Sequence, residues 1–448
     1  MVQFYTEITK REQTDMTAAV IICAVILISL TASILFFPSV KIGRLKLDTY
    51  WMTALAGAAV LLISGVLPIS ELWQKLTLPS DMNPLKILVL FFSMTALSVF
   101  LDEVGLFRYF AGQAVKIAGK KQISLFISLY ALTALLTVFT SNDIVILTLT
   151  PFICFFCKNT GIDPIPYLVS EFAAANTWSM MLIIGNPTNI YLATSAGISF
   201  TDYFHVMVLP TLAAGILEFA LILLVFGKKL KKPMQKQKDD FHIESRQDLW
   251  IGCAHLVICL VFLIISGYIN VPMWIISAVC ALSLAAFASV AHMISGRHNS
   301  YLANTFMRLP WQLIPFVLAM FTVVICLNYT GVSAAAGQML GSRNVIFTYG
   351  ISSYLSSNLI NNIPMSILFS GFPSGLGAAA VQAVYATVIG SNIGAFLTPI
   401  GALAGIMFTG LTRRHGVKYG FAEFMKYGVI ISLPTIICAL FVLTFVLG

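Results

Sequence analysis

Charge is what this sequence lacks most. Of its 448 residues only 10% are Asp, Glu, Lys or Arg, against 58% hydrophobic ones, and the mean hydropathy is +0.91. A soluble domain carries about a quarter charged residues to cover its surface, so most of this surface must face an apolar medium. Histidine is equally sparse. The six are His205, His242, His255, His292, His298 and His415, and no two stand four apart. That spacing gives no His-Glu-x-x-His metal helix and argues against an intramembrane hydrolase, so no enzyme is expected. Of the eight cysteines, Cys23, Cys253, Cys259, Cys280, Cys326 and Cys438 stand alone in apolar runs. Cys154 and Cys157 have metal-like spacing, but no second pair or His cluster accompanies them. They read as small buried hydrophobes rather than a zinc site or a disulfide framework. A secretory leader is also unexpected: the opening through Asp15 is too acidic for a signal n-region and the span after it is long for an h-region.

Long uncharged runs take the place of charge. Met16 to Val40 and Gln122 to Asn142 each supply the roughly 20 residues that cross a bilayer. Leu249 to Ile294 contains no Asp, Glu, Lys or Arg and is divided in two by Asn270 and Pro272. The expectation is an all-α, multi-pass protein of the cell membrane with about ten to twelve membrane segments. The net charge of +8 comes largely from one place, Lys228, Lys229, Lys231, Lys232, Lys236 and Lys238, directly after an apolar span. Positive charge beside a membrane exit marks a cytoplasmic loop, so no nucleic-acid partner is needed to explain it; anionic lipid headgroups are the alternative partner for the run. The chain therefore divides into 1–227 (an N-terminal helix and a first transport repeat), a basic linker 228–248, and a second repeat 249–448.

The two sides of the linker can be laid over one another. An offset of 216 carries Ser141-Asn142 onto Ser357-Asn358, Asn176 onto Asn392 and Gly185 onto Gly401. Upstream, Leu101-Asp102-Glu103-Val104-Gly105 matches Leu327-Asn328-Tyr329-Thr330-Gly331 at an offset of 226, and an Ala-Gly-Gln triplet follows each. The first half thus has about ten extra residues, around Lys120-Lys121. Repeats of this kind are the mark of secondary transporters, whose halves often have inverted topology, because an inverted pair can open to opposite sides.

Helix breakers sit where a continuous span would not want them. From Asn344 to Thr412 no residue is charged, yet the stretch holds Ser356-Ser357-Asn358, Asn361-Asn362-Ile363-Pro364, Gly390-Ser391-Asn392 and Thr398-Pro399-Ile400-Gly401. The first half has Ser141-Asn142-Asp143, Asn176-Thr177 and Gly185-Asn186-Pro187-Thr188-Asn189. Irregular backbone at membrane depth is tolerated only where protein shields it or it lines a wet cavity. These clusters are expected to end half-helices and form re-entrant hairpins. Freed carbonyls there can coordinate a cation, and freed N–H groups with the helix dipole can hold an anion. The blander function of such Asn and Ser side chains is capping or joining helices. Ile144 to Phe156 is expected to be too short to span alone.

An ionisable group within the membrane is a functional candidate by default. Asp143 lies at the first break and Glu171 five residues before Asn176, whereas the second half has Leu359 and Thr387 at those offsets. Asp143 is the first candidate for coupling and Glu171 the second, with sodium at Asn142, Asp143 and Asn358, or a proton, as coupling ion; no other cofactor is expected. An N-cap role for Asp143 is compatible with this. Asp102 and Glu103 read as solvated acids at a span end, and Arg308, Arg343, Arg413 and Arg414 as loop or snorkelling charges.

At these residues the chain resembles the ion transporter superfamily, which holds arsenical pumps, sodium–proton antiporters and sodium-coupled dicarboxylate carriers; it is most similar to the arsenite permeases. Asn361-Asn362-Ile363-Pro364 resembles their Asn-Asn-Leu-Pro break. Tyr385 to Met407, YATVIGSNIGAFLTPIGALAGIM, resembles their block ending in Thr-Pro-Ile-Gly, and Ser141-Asn142-Asp143 with Leu147-Thr148-Leu149-Thr150-Pro151 resembles the first-half counterpart. The resemblance covers most of the chain from about residue 85. It implies two inverted repeats with helical hairpins, a homodimer and an elevator-like transport domain. It further implies ion-coupled export of arsenite, antimonite or a related small ion. The site would be lined by Ser141, Asn142, Asn176, Thr177, Gly185, Asn186, Thr188, Asn189, Ser357, Asn358, Asn361, Asn362, Ser391, Asn392, Thr398, Pro399 and Gly401. The neutral Ser/Asn pairs would also suit sodium with a dicarboxylate or oxyanion, or sodium–proton exchange, and a passive channel is the remote alternative.

Overall fold

The computed structural model describes residues 2–37, 39–42, 45–78, 83–234, 243, 245–295 and 300–448. Lys236, Lys238, His242 and His298 lie outside the described residues. The chain starts with α1 (Val2–Phe36), an antiparallel hairpin of β1 (Ser39–Ile42) and β2 (Leu45–Asp48), α2 (Thr49–Ile63) and the short amphipathic α3 (Ile69–Thr77). Then come α4 (Pro84–Glu103), α5 (Leu106–Ala118), α6 (Gln122–Phe139), α7 (Asn142–Thr160), α8 (Ile165–Trp178), α9 (Pro187–Ser195) and α10 (Phe200–Leu230). After the linker the order recurs: long α11 (Arg246–Ile269) and α12 (Met273–Ser295), short α13 (Tyr301–Arg308), then α14 (Leu313–Tyr329), α15 (Val332–Leu340), α16 (Val345–Ile360), α17 (Asn362–Ser370), α18 (Ala380–Gly394), α19 (Leu403–Arg414) and α20 (Phe421–Leu447). Gly105 (φ 93°) and Gly331 (φ 77°) occupy the same corner before α5 and α15, a left-handed conformation that glycine adopts without a Cβ clash.

Nine helices among the described residues are long and apolar enough to cross a membrane, and Thr49–Ile63 is a shorter apolar one. This count falls below the ten to twelve expected because α8, α9, α16, α17, α18 and α19 are pieces of interrupted passages, each too short to count alone. The opposite correction applies to α7. It runs 19 residues through Pro151 and is long enough on its own, where a 13-residue piece was anticipated from Ile144 to Phe156. The β-hairpin is a departure from the all-α expectation, and it takes Val40 out of the first span.

The halves interleave. α2 packs on α14 and α12 on α4; α7 packs on α19 and α17 on α9; α10 lies along α20. The contacts come in exchanged twins, α2 with α14 beside α12 with α4 and α7 with α19 beside α17 with α9, so each hydrophobic core draws on both halves. Arg308 at the end of α13 shows the same exchange. Its guanidinium lies 2.7 Å from the buried Asp102 Oδ2 and also bonds Glu103 Oε1, both on α4. Asp102 and Glu103 are therefore not solvated interfacial acids, and Arg308 is not a snorkelling charge. A buried carboxylate needs this cation because its desolvation costs several kcal/mol, of order 3–5 kcal/mol when one partner of such a pair is removed.

The closest helix contact is between α16 and α18. Gly350, Ser353 and Ser357 on one helix face Gly390 and Gly394 on the other, the small-xxx-small pattern that lets backbones approach in a membrane. A Cβ on Gly390 would stand 2.0 Å from Ser353 Oγ and 2.4 Å from Gly350 O. Backbone cannot yield there, so Gly390→Ala is expected to lose about 1–3 kcal/mol. Gly410, with nothing within 4 Å of its virtual Cβ, should tolerate Ala or gain about 0.4–1 kcal/mol. Thermal unfolding of the two variants in detergent checks the contrast.

Candidate functional site

The first break is local chemistry. α6 stops because Thr140 and Ser141 are extended, and Asn142 opens α7. Asn142 is buried; its Oδ1 accepts from the Asp143 N–H at 2.9 Å and its Nδ2 donates to Asn176 Oδ1 at 3.2 Å. Asn176 in turn donates to Phe172 O at 2.8 Å. Asp143 is half-buried in the first turn of α7, where the positive helix end favours an anion. Among the described residues it makes no ion pair.

The second break falls later than the Ser-Asn pairing suggested. α16 runs straight through Ser356-Ser357-Asn358 and ends at Ile360; Asn361 is the break, at φ 71° and ψ 151°. Left-handed φ on a non-glycine residue costs of order 1–3 kcal/mol and persists only where its surroundings dictate it. Here Asn361 Oδ1 caps Ile363 N, its Nδ2 donates to Ile400 O at 3.1 Å, and Asn362 N donates to Gly401 O at 2.9 Å. Pro364 has no N–H to give to the Ile360 carbonyl and its ring crowds that group, so α16 cannot run on through it and ends at Ile360. Gly390-Ser391-Asn392 likewise lies inside α18 and breaks nothing; the non-helical stretch follows it, at 395–402.

Asn358 and Asn392 serve instead as side-chain clasps. Asn358 Nδ2 donates to Tyr354 O and Gly394 O, and its Oδ1 accepts from both the N–H (3.0 Å) and the hydroxyl (2.7 Å) of Thr398. Asn358 thus shapes the Thr398-Pro399-Ile400-Gly401 turn, and a Cβ on Gly401 would meet Asn358 Oδ1 at 2.7 Å. Asn392 reaches into the other half. Its Oδ1 accepts from Ser179 Oγ (2.8 Å) and Asn186 Nδ2 (3.0 Å), and its Nδ2 donates to Asn189 Oδ1 (2.6 Å) and Val388 O (2.8 Å). Asn186 also caps α9 through Thr188 N, and Asn189 secures the 3₁₀ turns by donating to Ser179 O. Gly185 is needed there because a Cβ would sit 2.2 Å from Ser179 O. Ser391 meets Ser366 of α17 at 3.3 Å.

The structure therefore joins Asn186, Asn189 and Asn392 in one network, Asn142 with Asn176, and Asn358 with Thr398. Among the described residues no hydrogen bond links Asn142 to Asn358, the two amides assigned with Asp143 to sodium, and no group of three or more His, Cys, Asp and Glu side chains comes together. Ser141 Oγ and Thr188 Oγ1 are buried without a hydrogen-bond partner. Thr188 lines a small apolar cavity of about 30 Å³ between α4, α9, α14 and α17. Glu171 is buried on α8 and accepts from the Thr150 hydroxyl at 3.0 Å on both oxygens. Glu218 and Ser179 were missed by the sequence reading. Glu218 is the only charged residue between Tyr203 and Gly227, which was a readable signal, and it is buried against Thr177 and Tyr130. Ser179 had none.

Residues 49–379 match the model of the CitMHS citrate transporter family. The chain belongs to that family. An arsenical pump membrane protein of Escherichia coli is 27% identical over 410 residues, covering 87% of this chain and 91% of the pump. An uncharacterized transporter of Mycobacterium tuberculosis is 26% identical over 404 residues, covering 86% and 91%. In three dimensions the chain is similar to the crystal structure of the Alcanivorax borkumensis YdaH transporter, described as having an unusual topology. That likeness has a TM-score of 0.56 at 13% identity and covers 96% of this chain and 98% of that one. It shows the fold. A multi-pass membrane transporter of the CitMHS family thus places its amide network where the two halves meet.

If the network holds the halves together, Asn392→Ala strands Asn186 Nδ2 and Asn189 Oδ1, while the Ser179 hydroxyl keeps the Asn176 carbonyl at 2.6 Å. The substitution should cost about 1–3 kcal/mol, read as a lowered unfolding temperature in detergent. An unchanged unfolding temperature would show that Asn392 is no clasp.

Proposed function

We propose that this protein is a secondary active, ion-coupled transporter of the cell membrane that exports arsenite, antimonite or a related small, weakly charged oxygen species. The observation that carries this reading is the chemistry of the network: amides and hydroxyls from both halves, with Asn392 clasped by Ser179, Asn186 and Asn189 and no cation among their partners. Arsenous acid is neutral at physiological pH and presents only hydroxyls, which amides and helix N-termini satisfy. The starts of α7, α9 and α17 all lie at the breaks and supply such N–H groups. A tricarboxylate would need several cations to replace its hydration, at a cost of several kcal/mol per unpaired charge. The family name supports a second reading, a sodium-coupled carboxylate or oxyanion carrier, in which sodium near Asn142, Asp143 and Asn358 would offset part of that charge.

The recurring element order and exchanged helix pairs support two inverted repeats, 1–227 and 249–448, rocking or sliding about the network. Elevator-like movement within a homodimer is the form this takes under the proposal. The basic linker 228–248 then faces the cytoplasm. Asp143 is the group with access to the site and the candidate for coupling.

The decisive measurement is flux in proteoliposomes with arsenite, antimonite and citrate, each under an imposed pH or sodium gradient. Arsenite flux driven by one of these gradients is expected, with Asp143→Asn folded but uncoupled, at least about tenfold slower under the gradient. Gradient-driven citrate flux without arsenite flux would replace this reading by the carboxylate one, and flux without counterflow would indicate a channel.

A further inference from the structure

Glu218 offers chemistry that the amide network does not use. It sits on α10, 1% exposed, and among the described residues it pairs with no Lys, Arg or His. Three side chains surround its carboxyl group. Thr177 Oγ1 donates to Oε2, and Tyr130 Oη lies 3.2 Å from Oε1. Trp178 Nε1 donates to the same Tyr130 oxygen at 3.1 Å. The Trp178 indole rests on bare backbone, because a Cβ on Gly215 would stand 2.5 Å from its ring.

Counting hydrogens decides the state of this group. The Tyr130 hydroxyl has one hydrogen. Its shortest contact is to the Gly215 carbonyl, at 2.6 Å, and a carbonyl can only accept. With that hydrogen directed at the nearer Gly215 carbonyl and the indole N–H pointing at the phenol oxygen, a protonated Glu218 completes the contact by donating to Tyr130. Glu218 then carries a proton on Oε1 and accepts from Thr177 on Oε2, and every polar atom is paired. When the proton leaves for water, one hydrogen bond moves: Tyr130 O–H turns from Gly215 O to the Oε1 carboxylate.

We propose that Glu218 is a proton-binding site of this transporter, and that Tyr130 and Trp178 convert its protonation into a change at the amide network. This rests on the transport reading and names its coupling ion. The route to the network is short. Thr177, bonded to Glu218, lies between Asn176, which holds Asn142, and Ser179, which holds Asn392. Along α6 the hydroxyls of Thr133 and Thr137, and Ser141 beyond its end, follow Tyr130 at helical spacing, buried and without hydrogen-bond partners. They join the acid to the first break with groups that can both donate and accept.

The neighbours leave the proton to Glu218. Tyr130 is the titratable group that faces it from α6, and α8 presents Thr177 and Trp178. On α20 Tyr427 stacks on Phe226, two turns further along α10, with Glu423 and Lys426 at the same end. On α11 Asp248 pairs with His292, and His255 bonds Ile251 O.

The test uses the full chain in detergent without substrate. Infrared difference spectra between about pH 5 and about pH 9, a window from carboxyl to phenol titration, should show loss of a protonated-carboxyl band as pH rises. Glu218→Gln, whose amide reproduces the neutral acid's donor and acceptor, should remove one component of the band, and that component should persist in Asp143→Asn and Glu171→Gln. A pH-dependent shift of tryptophan emission should disappear in both Glu218→Gln and Tyr130→Phe, while Tyr130→Phe keeps the band. In proteoliposomes with arsenite as probe, Glu218→Gln should lower pH-driven flux about tenfold and keep counterflow. A band unchanged in Glu218→Gln overturns the assignment. The spectra do not depend on cargo, so failure of arsenite flux in the wild type would sink the substrate reading and leave this one standing.

Discussion

A polar group at membrane depth must find its partners inside the protein, because lipid supplies none. The Asn392 amide obeys that constraint in a way that organises the rest of the chain. Two of its partners, Asn186 and Asn189, cap and anchor the short helix α9, and a third, Ser179, holds the turn before it. One side chain of the second half thus completes the irregular backbone of the first. Only glycine fits at Gly185, Gly390 and Gly394, where bare backbone lets these segments approach closely enough for the amide to reach.

The same dependence recurs in the helix packing. α7 leans on α19 and α17 on α9, while Arg308 from one half neutralises Asp102 in the other. Under the proposed function, movement of one half against the other would run along these exchanged contacts. Alternating access needs such a paired surface with two arrangements of similar energy. An amide network suits it better than ion pairs would. Each neutral hydrogen bond contributes about 1 kcal/mol and can be remade, whereas parting a buried ion pair costs several times more.

The halves share geometry and differ in charge. Asp143, Glu171 and Glu218 all lie in the first half; Glu171 and Glu218 are held by hydroxyl groups rather than by a cation, and Asp143 lies in the first turn of α7. In the second half the corresponding work falls to Asn358, Asn361 and Asn392. Under the proposed function this division gives ion coupling to one copy of the design and neutral positioning to the other, with Thr177 to Ser179 as the segment where the two meet.

Composition and local pattern alone determined that the chain is a membrane protein, that its helices are interrupted, and that Asn and Gly clusters mark the interruptions. Those properties follow from hydropathy and from what Pro, Gly and Asn do to their own backbone. The span at Leu249–Ile294, divided at Asn270, and the break before Asn142 were legible for that reason. Three things were not. Asn-Asn-Ile-Pro marked the break at Asn361, but not that Ser357-Asn358 would leave its helix unbroken, because Ser and Asn inside a helix can turn their side chains to a neighbouring helix, as Asn358 does to Gly394 and Thr398. The pairing of Asp102 with Arg308, 206 positions away, is invisible to any local pattern. The grouping of Glu218 with Tyr130, Thr177 and Trp178 draws on three helices. Local sequence sets where the backbone can bend, but only tertiary packing decides which buried polar groups face one another, since that depends on how distant helices approach and on the requirement that each such group be satisfied.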